Sequence, residues 1–251
     1  MQALPTVWDD ESVDWTGFDA IVIRSTWDYH RRRDEFLGWL ERARKATTVW
    51  NPPELVRWNS HKSYLVDLST RGAAIVPTEL IPQGSDRPVR SVLDARGWPA
   101  VVIKPAVGAD GEGLRIVDRG GMTVGERHFR SLLAKGDVLV QPLLERVRVA
   151  GERSLVFFDG RFSHAVSHPF VLEGGSRAGK PATQDARTRG DAARIVAGLS
   201  RKPLYARVDL LPSDEGRWLV SELELIEPDL YLRTDPGAAG RFAEALLEKL
   251  R

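Results

Sequence analysis

The chain has 251 residues, 36 Lys+Arg against 35 Asp+Glu, a net charge of +1 and no cysteine. Zero cysteines exclude disulfide scaffolds, Cys-ligated zinc, iron–sulfur clusters and thiol catalysis, and fit a cytoplasmic setting. The neutral balance offers no electrostatic footprint for nucleic acid, and no apolar run approaches the roughly 18–20 residues that span a bilayer. The opening MQALPTVWDDES lacks the layout of a secretory signal. Among the basic residues there are 29 arginines and only 7 lysines, so each lysine position carries information.

An apolar run predicts a first strand over 19–24, ending in the polar-aromatic cluster Ser25-Thr26-Trp27-Asp28-Tyr29-His30. Phe36, Leu37, Leu40 and Ala43 share one face of a helix over 34–46, and a strand over 48–50 runs into Asn51-Pro52-Pro53. This alternation predicts a small α/β unit with a right-handed parallel crossover. Pro52-Pro53 marks its end, giving a first domain of residues 1–55.

A second unit, 56–140, is expected to hold a helix over 60–71 closed by Gly72, a strand at 75–80 whose Pro77 favours an edge or a start, and a helix over 88–96. Strands at 101–104, 114–117 and 138–141 complete it. The third, 141–251, opens with a hairpin of 154–158 and 161–166 about Asp159-Gly160. A polar Gly-rich loop at 173–190, a helix at 191–199, strands at 205–211 and 218–225, and a helix at 236–250 follow. There is no internal repeat.

Three segments can carry chemistry. In Lys104-Pro105-Ala106-Val107-Gly108-Ala109-Asp110-Gly111-Glu112-Gly113 a strand delivers a lysine to a loop with glycines at 108, 111 and 113. Such a loop lets backbone N–H groups approach phosphate oxygens. It is neither a Walker A loop nor a Rossmann fingerprint, because strand leads to strand, and an ordinary glycine-rich hairpin reads the same way. Near the C-terminus, alternation puts Arg207 with Asp209, and Glu222 with Glu224, on one face of neighbouring strands. Three carboxylates there suit Mg²⁺, which favours a few carboxylates plus substrate phosphates; a solvated sheet face is the alternative. The link Val140-Gln141-Pro142-Leu143-Leu144-Glu145 could pair with an adenine edge in an apolar slot, or simply join two lobes.

Together with Asn59-Ser60-His61-Lys62-Ser63-Tyr64, these segments stand in the order found in the ATP-grasp enzymes. The chain resembles that superfamily over nearly its whole length, in the glutathione-synthetase-like and D-cycloserine-ligase-like branch. The motifs that carry the resemblance are Arg24-Ser25-Thr26-Trp27-Asp28-Tyr29, Asn51-Pro52-Pro53, the run from Gly151 through Phe158, Ser163-His164-Ala165-Val166 and Glu222-Leu223-Glu224-Leu225-Ile226-Glu227-Pro228. The resemblance implies an α+β (α/β) ATP-grasp fold: two lobes clamping ATP behind a shortened N-terminal α/β domain. It implies that Lys62 and Lys104 hold phosphates, and that Gly108, Gly111 and Gly113 belong to a lid over the transferring phosphoryl group. Gln141 and Leu143 would offer backbone to adenine, and Glu145 or Glu152 would reach the ribose. Asp209, Glu222 and Glu224 would bind two Mg²⁺ ions, with Mn²⁺ able to substitute, and Arg207 would steady the developing charge. Two of the seven lysines fall where this scheme needs them.

The implied activity is ATP-dependent carboxylate–amine ligation through an acylphosphate, on a small amino acid or peptide-like substrate. An ATP-grasp kinase and a non-catalytic nucleotide-binding protein are the rivals. The cluster at 24–29 sits where a parallel strand ends, the usual ligand edge of such sheets, so Arg24 is expected to anchor a substrate carboxylate, with Ser25, Thr26 and Tyr29 as polar contacts. Packing of Trp27 and Tyr29 at the lobe interface is the alternative. His164 could face the cleft.

Departures from the family pattern are also visible. Many members have asparagine where this chain has Glu224; a basic residue often stands where this chain has His168; and the Gly-Asp-Phe-Arg stretch is missing from 170–190. That leaves Arg177, Arg187 and Arg189 as candidates for the acceptor-side arginine. The chain begins about where the family's second strand lies, so an exposed sheet edge is expected, to be covered by a second copy in a homodimer.

Overall fold

The computed structural model describes residues 2–170 and 178–251, arranged around three sheets. The first holds two parallel strands, β1 (Ala20–Val22) and β2 (Thr48–Trp50), joined by α1 (Arg33–Ala46). Phe36, Leu40 and Ala43 on α1 are fully buried with Trp39, and Trp8 meets Phe36 edge-on at 5.5 Å. Asp34 and Glu35 in the first turn and Arg44 and Lys45 in the last complement the helix dipole.

Pro52-Pro53 leads straight into a helix. It starts α2 (Pro53–Asn59), proline being well suited to a first helical turn. The helix expected over 60–71 is the shorter α3 (Tyr64–Thr70). Leu55, Tyr64, Leu65 and Leu68 pack into one cluster with Leu155, Phe157, Val208 and Leu223 of the C-terminal sheet.

The second sheet contains β3 (Glu79–Ile81), β4 (Ala100–Pro105), β5 (Arg115–Asp118) and β6 (Val138–Pro142) in the order β3-β6-β4-β5, all antiparallel. Between them lie α4 (Val89–Arg96) and α5 (Met122–Leu133). The sequence reading has no helix at α5, because Gly120, Gly121 and Gly125 mask its period. Gly125 is there for contact: a Cβ on it would lie 2.3 Å from Val117 Cγ1, so only glycine lets α5 sit this close to β5.

After the short α6 (Val147–Ala150), the third sheet is built from β7 (Glu152–Phe158), β8 (Arg161–His168), β9 (Lys180–Ala182), β10 (Tyr205–Pro212) and β11 (Trp218–Glu224), ordered β11-β10-β7-β8-β9 and antiparallel throughout. Asp159 and Gly160 turn the β7–β8 hairpin with φ of 46° and 73°, the left-handed pair that a two-residue turn demands. The helix expected to start at 191 is α7 (Ala186–Ala197), begun by the Asp185 side chain accepting from the Thr188 N–H. The chain closes with α8 (Ala238–Lys249).

Strand β11 is an edge, and an open edge invites association. Here the chain covers it. Val76 N–H donates to the Val220 carbonyl and Val220 N–H to that of Ala74, both at 2.9 Å. The Asn59 carboxamide donates to Leu223 O at 2.7 Å and accepts from Leu225 N–H at 2.9 Å. Asn51, fully buried, donates from Nδ2 to the carbonyls of Tyr205 and Leu225, each at 2.8 Å, and its Oδ1 accepts from the Leu204 N–H at 2.7 Å. Among the described residues no helix is long and apolar enough to cross a membrane.

Candidate active site

A cleft of about 450 Å³ is lined from both the second and third sheets. Its charged floor comes from strand register. Asp209 on β10 faces Glu222 on β11, and Arg207 faces Glu224, so all four side chains share one sheet face. Arg207 donates from Nε to Asp209 Oδ1 and from Nη2 to Oδ2, each at 2.9 Å, and also ion-pairs with Glu224. Ser154 of β7 adds a hydroxyl donor to Asp209 at 2.6 Å. From the facing sheet, Lys104 near the end of β4 reaches Glu222 Oε1 at 2.9 Å, while Lys62, ahead of α3, lies 3.8 Å from the same carboxylate. Lys62 also donates to the Gly108 carbonyl at 2.8 Å, which ties it to the glycine loop.

In that loop Asp110, Gly111 and Gly113 have positive φ, and a Cβ on Gly108 would press on Pro105 Cγ at 2.9 Å. Gly108 and Gly111 line the cleft; Gly113 does not, its carbonyl accepting from His128 at 2.7 Å instead. The loop is clasped from outside: Glu112 accepts from His30 Nε2 at 3.1 Å and from Arg31 Nη2 at 3.0 Å. Glu112→Ala removes this exposed clasp, and such pairs contribute little. The expected result is a KM for ATP raised about two- to fivefold with kcat nearly unchanged, read from initial rates at varied ATP.

Deeper in, Val102, Leu144, Val147 and Leu211 form an apolar slot beside Gln141 and Leu143. The Gln141 side chain donates to Thr78 Oγ1 at 2.8 Å, and Leu143 N–H to the Ala100 carbonyl at 3.0 Å. Leu143 therefore keeps only its carbonyl and side chain for a base. Of the two ribose candidates, Glu152 lines the cleft; Glu145 is exposed and paired with Arg148 at 2.7 Å.

Residues 1–51 match the family described as D-cycloserine synthetase DcsG, N-terminal domain. The chain is 36% identical, over 97% of its length and 87% of the relative's, to the cycloserine biosynthesis protein DcsG of Streptomyces lavendulae. The chain belongs to the D-cycloserine synthetase family of ATP-grasp ligases. The crystal structure of D-cycloserine synthetase DcsG superposes with a TM-score of 0.90, covering 97% of this chain and 88% of that one at 36% identity. D-alanyl-alanine synthetase A of Vibrio cholerae O1 biovar eltor shares the fold, with a TM-score of 0.69 over 93% and 75% of the two chains at 15% identity. This D-cycloserine synthetase family member is thus an ATP-dependent ligase that joins a carboxylate to nitrogen, and the kinase and non-catalytic readings fall away.

Charge is distributed unevenly over the floor of the cleft. Burial would raise the Glu222 carboxyl, but Lys104 and Lys62 outweigh it and hold it at about 2. Burial also opposes the Arg207 charge, yet Asp209 and Glu224 lift the guanidinium well above its ordinary value. At Glu224 burial wins, with Asp209, Glu222 and Glu227 adding to it against Arg207, and the carboxyl rises well above its usual range. His168, whose Nε2 lies 3.1 Å from Ser154 Oγ, is lowered by burial and so is no standing cation.

Several sequence expectations land elsewhere. Arg24, Ser25 and Thr26 are off the cleft wall, although Tyr29 is on it. Arg24 donates to the Pro228 carbonyl at 3.1 Å, its guanidinium 5.1 Å from the Tyr205 ring centroid. His164 is buried away from the cleft against the Leu230 carbonyl, at 3.0 Å. Arg187 and Arg189 are exposed on α7, and Arg177 lies outside the described residues. Trp27, Glu227 and Tyr231 line the cleft without a role from sequence. Strand alternation stops at Glu224, so periodicity could not place Glu227.

Proposed function

We propose that this enzyme closes or forms a C–N bond on a small D-amino acid, and that a cycloserine-type ring closure is its reaction. Support comes from the 36% identity to DcsG along 97% of the chain, joined to a cleft in which two lysines face three carboxylates. The ring amide of cycloserine joins the carboxyl carbon to an oxygen-linked nitrogen. Breaking it leaves O-amino-D-serine, and we take that amino acid, free or N-substituted, as the substrate class.

In this reading Lys62 and Lys104 bind nucleotide phosphates, the loop bearing Gly108 and Gly111 covers the transferring group, and the slot at Gln141 and Leu143 takes the base. Arg207 steadies charge that develops on the transferring phosphoryl group. The hard-oxygen set Asp209, Glu222 and Glu224 fits two Mg²⁺ ions. Among the described residues no three His, Cys, Asp or Glu side chains form a ready-made cage. When bound, Mg²⁺ supplies charge neutralisation on the nucleotide phosphates. Closure of the lobes keeps water from the acylphosphate.

Incubation of the enzyme with ATP, Mg²⁺, O-amino-D-serine and hydroxylamine tests the reading. ADP release together with an ATP-dependent ring product or hydroxamate is expected; ADP without either, or no turnover, would count against it. Asp209→Asn should lower kcat about 10²- to 10³-fold, the scale of a lost electrostatic contact in the transition state. It should also raise the Mg²⁺ concentration needed for half-maximal rate. An unchanged Mg²⁺ titration would remove Asp209 from the metal set.

A further inference from the structure

Among the described residues, Glu227 lacks the cation contact that Asp209, Glu222 and Glu224 each have. Glu222 meets Lys104, Asp209 meets Arg207 and Ser154, and Glu224 meets Arg207. Glu227, three residues past the end of β11, also lines the cleft, but among the described residues the one hydrogen-bond donor it meets is its own backbone N–H.

Its backbone is held firmly. The Tyr205 hydroxyl donates to the Ile226 carbonyl at 2.9 Å, Trp27 Nε1 to that of Glu227 at 3.1 Å, and Arg24 Nη2 to that of Pro228 at 3.1 Å. Three successive carbonyls are thus pinned, two of them by the 24–29 segment that sequence reading placed on the substrate. A half-buried carboxylate fixed in this way costs free energy unless a ligand brings a donor to it.

Its surroundings say which part of the substrate that is. Lys62 and Arg207 face it, as do Glu222, Glu224 and the Tyr29 hydroxyl. Burial pushes its carboxyl up to about 7 against the pull of Lys62 and Arg207. A carboxylate here repels phosphate and the substrate's own carboxylate, and suits the N–H-bearing partner.

We propose that Glu227 holds the nucleophilic nitrogen of the substrate and takes its proton as the C–N bond forms. The proposal rests on the ligase reading above. The nitrogen lone pair forms the bond to the acyl carbon, and one N–H proton passes to a Glu227 carboxylate oxygen. The carbon–oxygen bond to phosphate breaks with its electron pair, inorganic phosphate leaves, and Glu227 returns the proton to solvent.

A partition experiment tests this on the intact enzyme. With O-amino-D-serine, ATP, Mg²⁺ and concentrated hydroxylamine, one acylphosphate divides between ring product and hydroxamate. Glu227→Gln is expected to lower the ring-to-hydroxamate ratio about 100-fold, the lower range for a lost general base, with Glu227→Asp in between. The ratio is internal, so partial loss of folded enzyme does not move it. Ring formation by the wild type should climb with pH through about 7, where Glu227 loses its proton, and this limb should vanish in Glu227→Gln. An unchanged ratio, or a limb that persists in Glu227→Gln, would overturn the assignment. If the wild type makes neither product, it is the ligase reading that fails.

Discussion

Asn51→Leu should be the most destabilising single change in this chain that leaves the cleft residues untouched. The side chain is fully buried and serves three groups at 2.7–2.8 Å: the Leu204 N–H and the carbonyls of Tyr205 and Leu225. Leucine keeps the branching and the number of heavy atoms but offers none of these bonds, and the main-chain partners cannot turn to water. Each buried polar group left alone costs about 1–3 kcal/mol, so the expected loss is about 3–5 kcal/mol after relaxation. Urea unfolding should show a lower midpoint at an unchanged slope. Protein that remains folded should bind ATP within a few-fold of wild type, because Asn51 touches none of the cleft-lining charges. A midpoint shift under 1 kcal/mol would mean that water reaches these groups.

Asn51 also shows where sequence reasoning stops. Asn51-Pro52-Pro53 is recognisable as a family motif and reads locally as a turn that ends a domain. Its physical task is remote: the carboxamide stands in for a neighbouring strand at the edge of a sheet formed more than 150 residues later. Side-chain period carries no information about such a partner. The alternating strands are the opposite case. Arg207 with Asp209 and Glu222 with Glu224 follow from a period of two, and the family resemblance supplies Lys62 and Lys104, with the scarcity of lysine in its support. Arg207, Asp209, Glu222 and Glu224 share one face because strand register is a local property propagated by the hairpin, whereas the two lysines come from the facing side of the cleft.

Arg24 meets, and Glu227 belongs to, the same loop, which sequence periodicity does not place. A polar cluster at the end of a parallel strand is the usual place for a ligand, and the reading put substrate there. The loop after β11 reaches the cluster, and Arg24 Nη2 and Trp27 Nε1 donate to the carbonyls of Pro228 and Glu227. The missing α5 has a different cause: the glycine that permits its close packing on Val117 also lowers helix propensity. Local preference and tertiary need conflict at that position, and packing wins.

Arg207→Met should nearly abolish activity and cost stability as well, and the two effects should separate. The guanidinium neutralises Asp209 and Glu224 together and is itself only 12% exposed. Methionine keeps much of the stem volume but leaves two carboxylates facing each other. Breaking a buried pair from one side costs about 3–5 kcal/mol, and in the role proposed for Arg207 the loss of its positive charge lowers kcat about 10³-fold or more. Adding Glu224→Gln removes one of the uncompensated charges. The double variant should recover a large part of the unfolding free energy while its kcat stays at the level of the single variant. If Arg207 mattered only as a structural counter-ion, stability and kcat would return together. Chemical unfolding and ATP turnover on the same four proteins (wild type, two singles and the double) complete the cycle, and its coupling energy isolates the Arg207–Glu224 contact from the demand that phosphoryl transfer makes on the guanidinium.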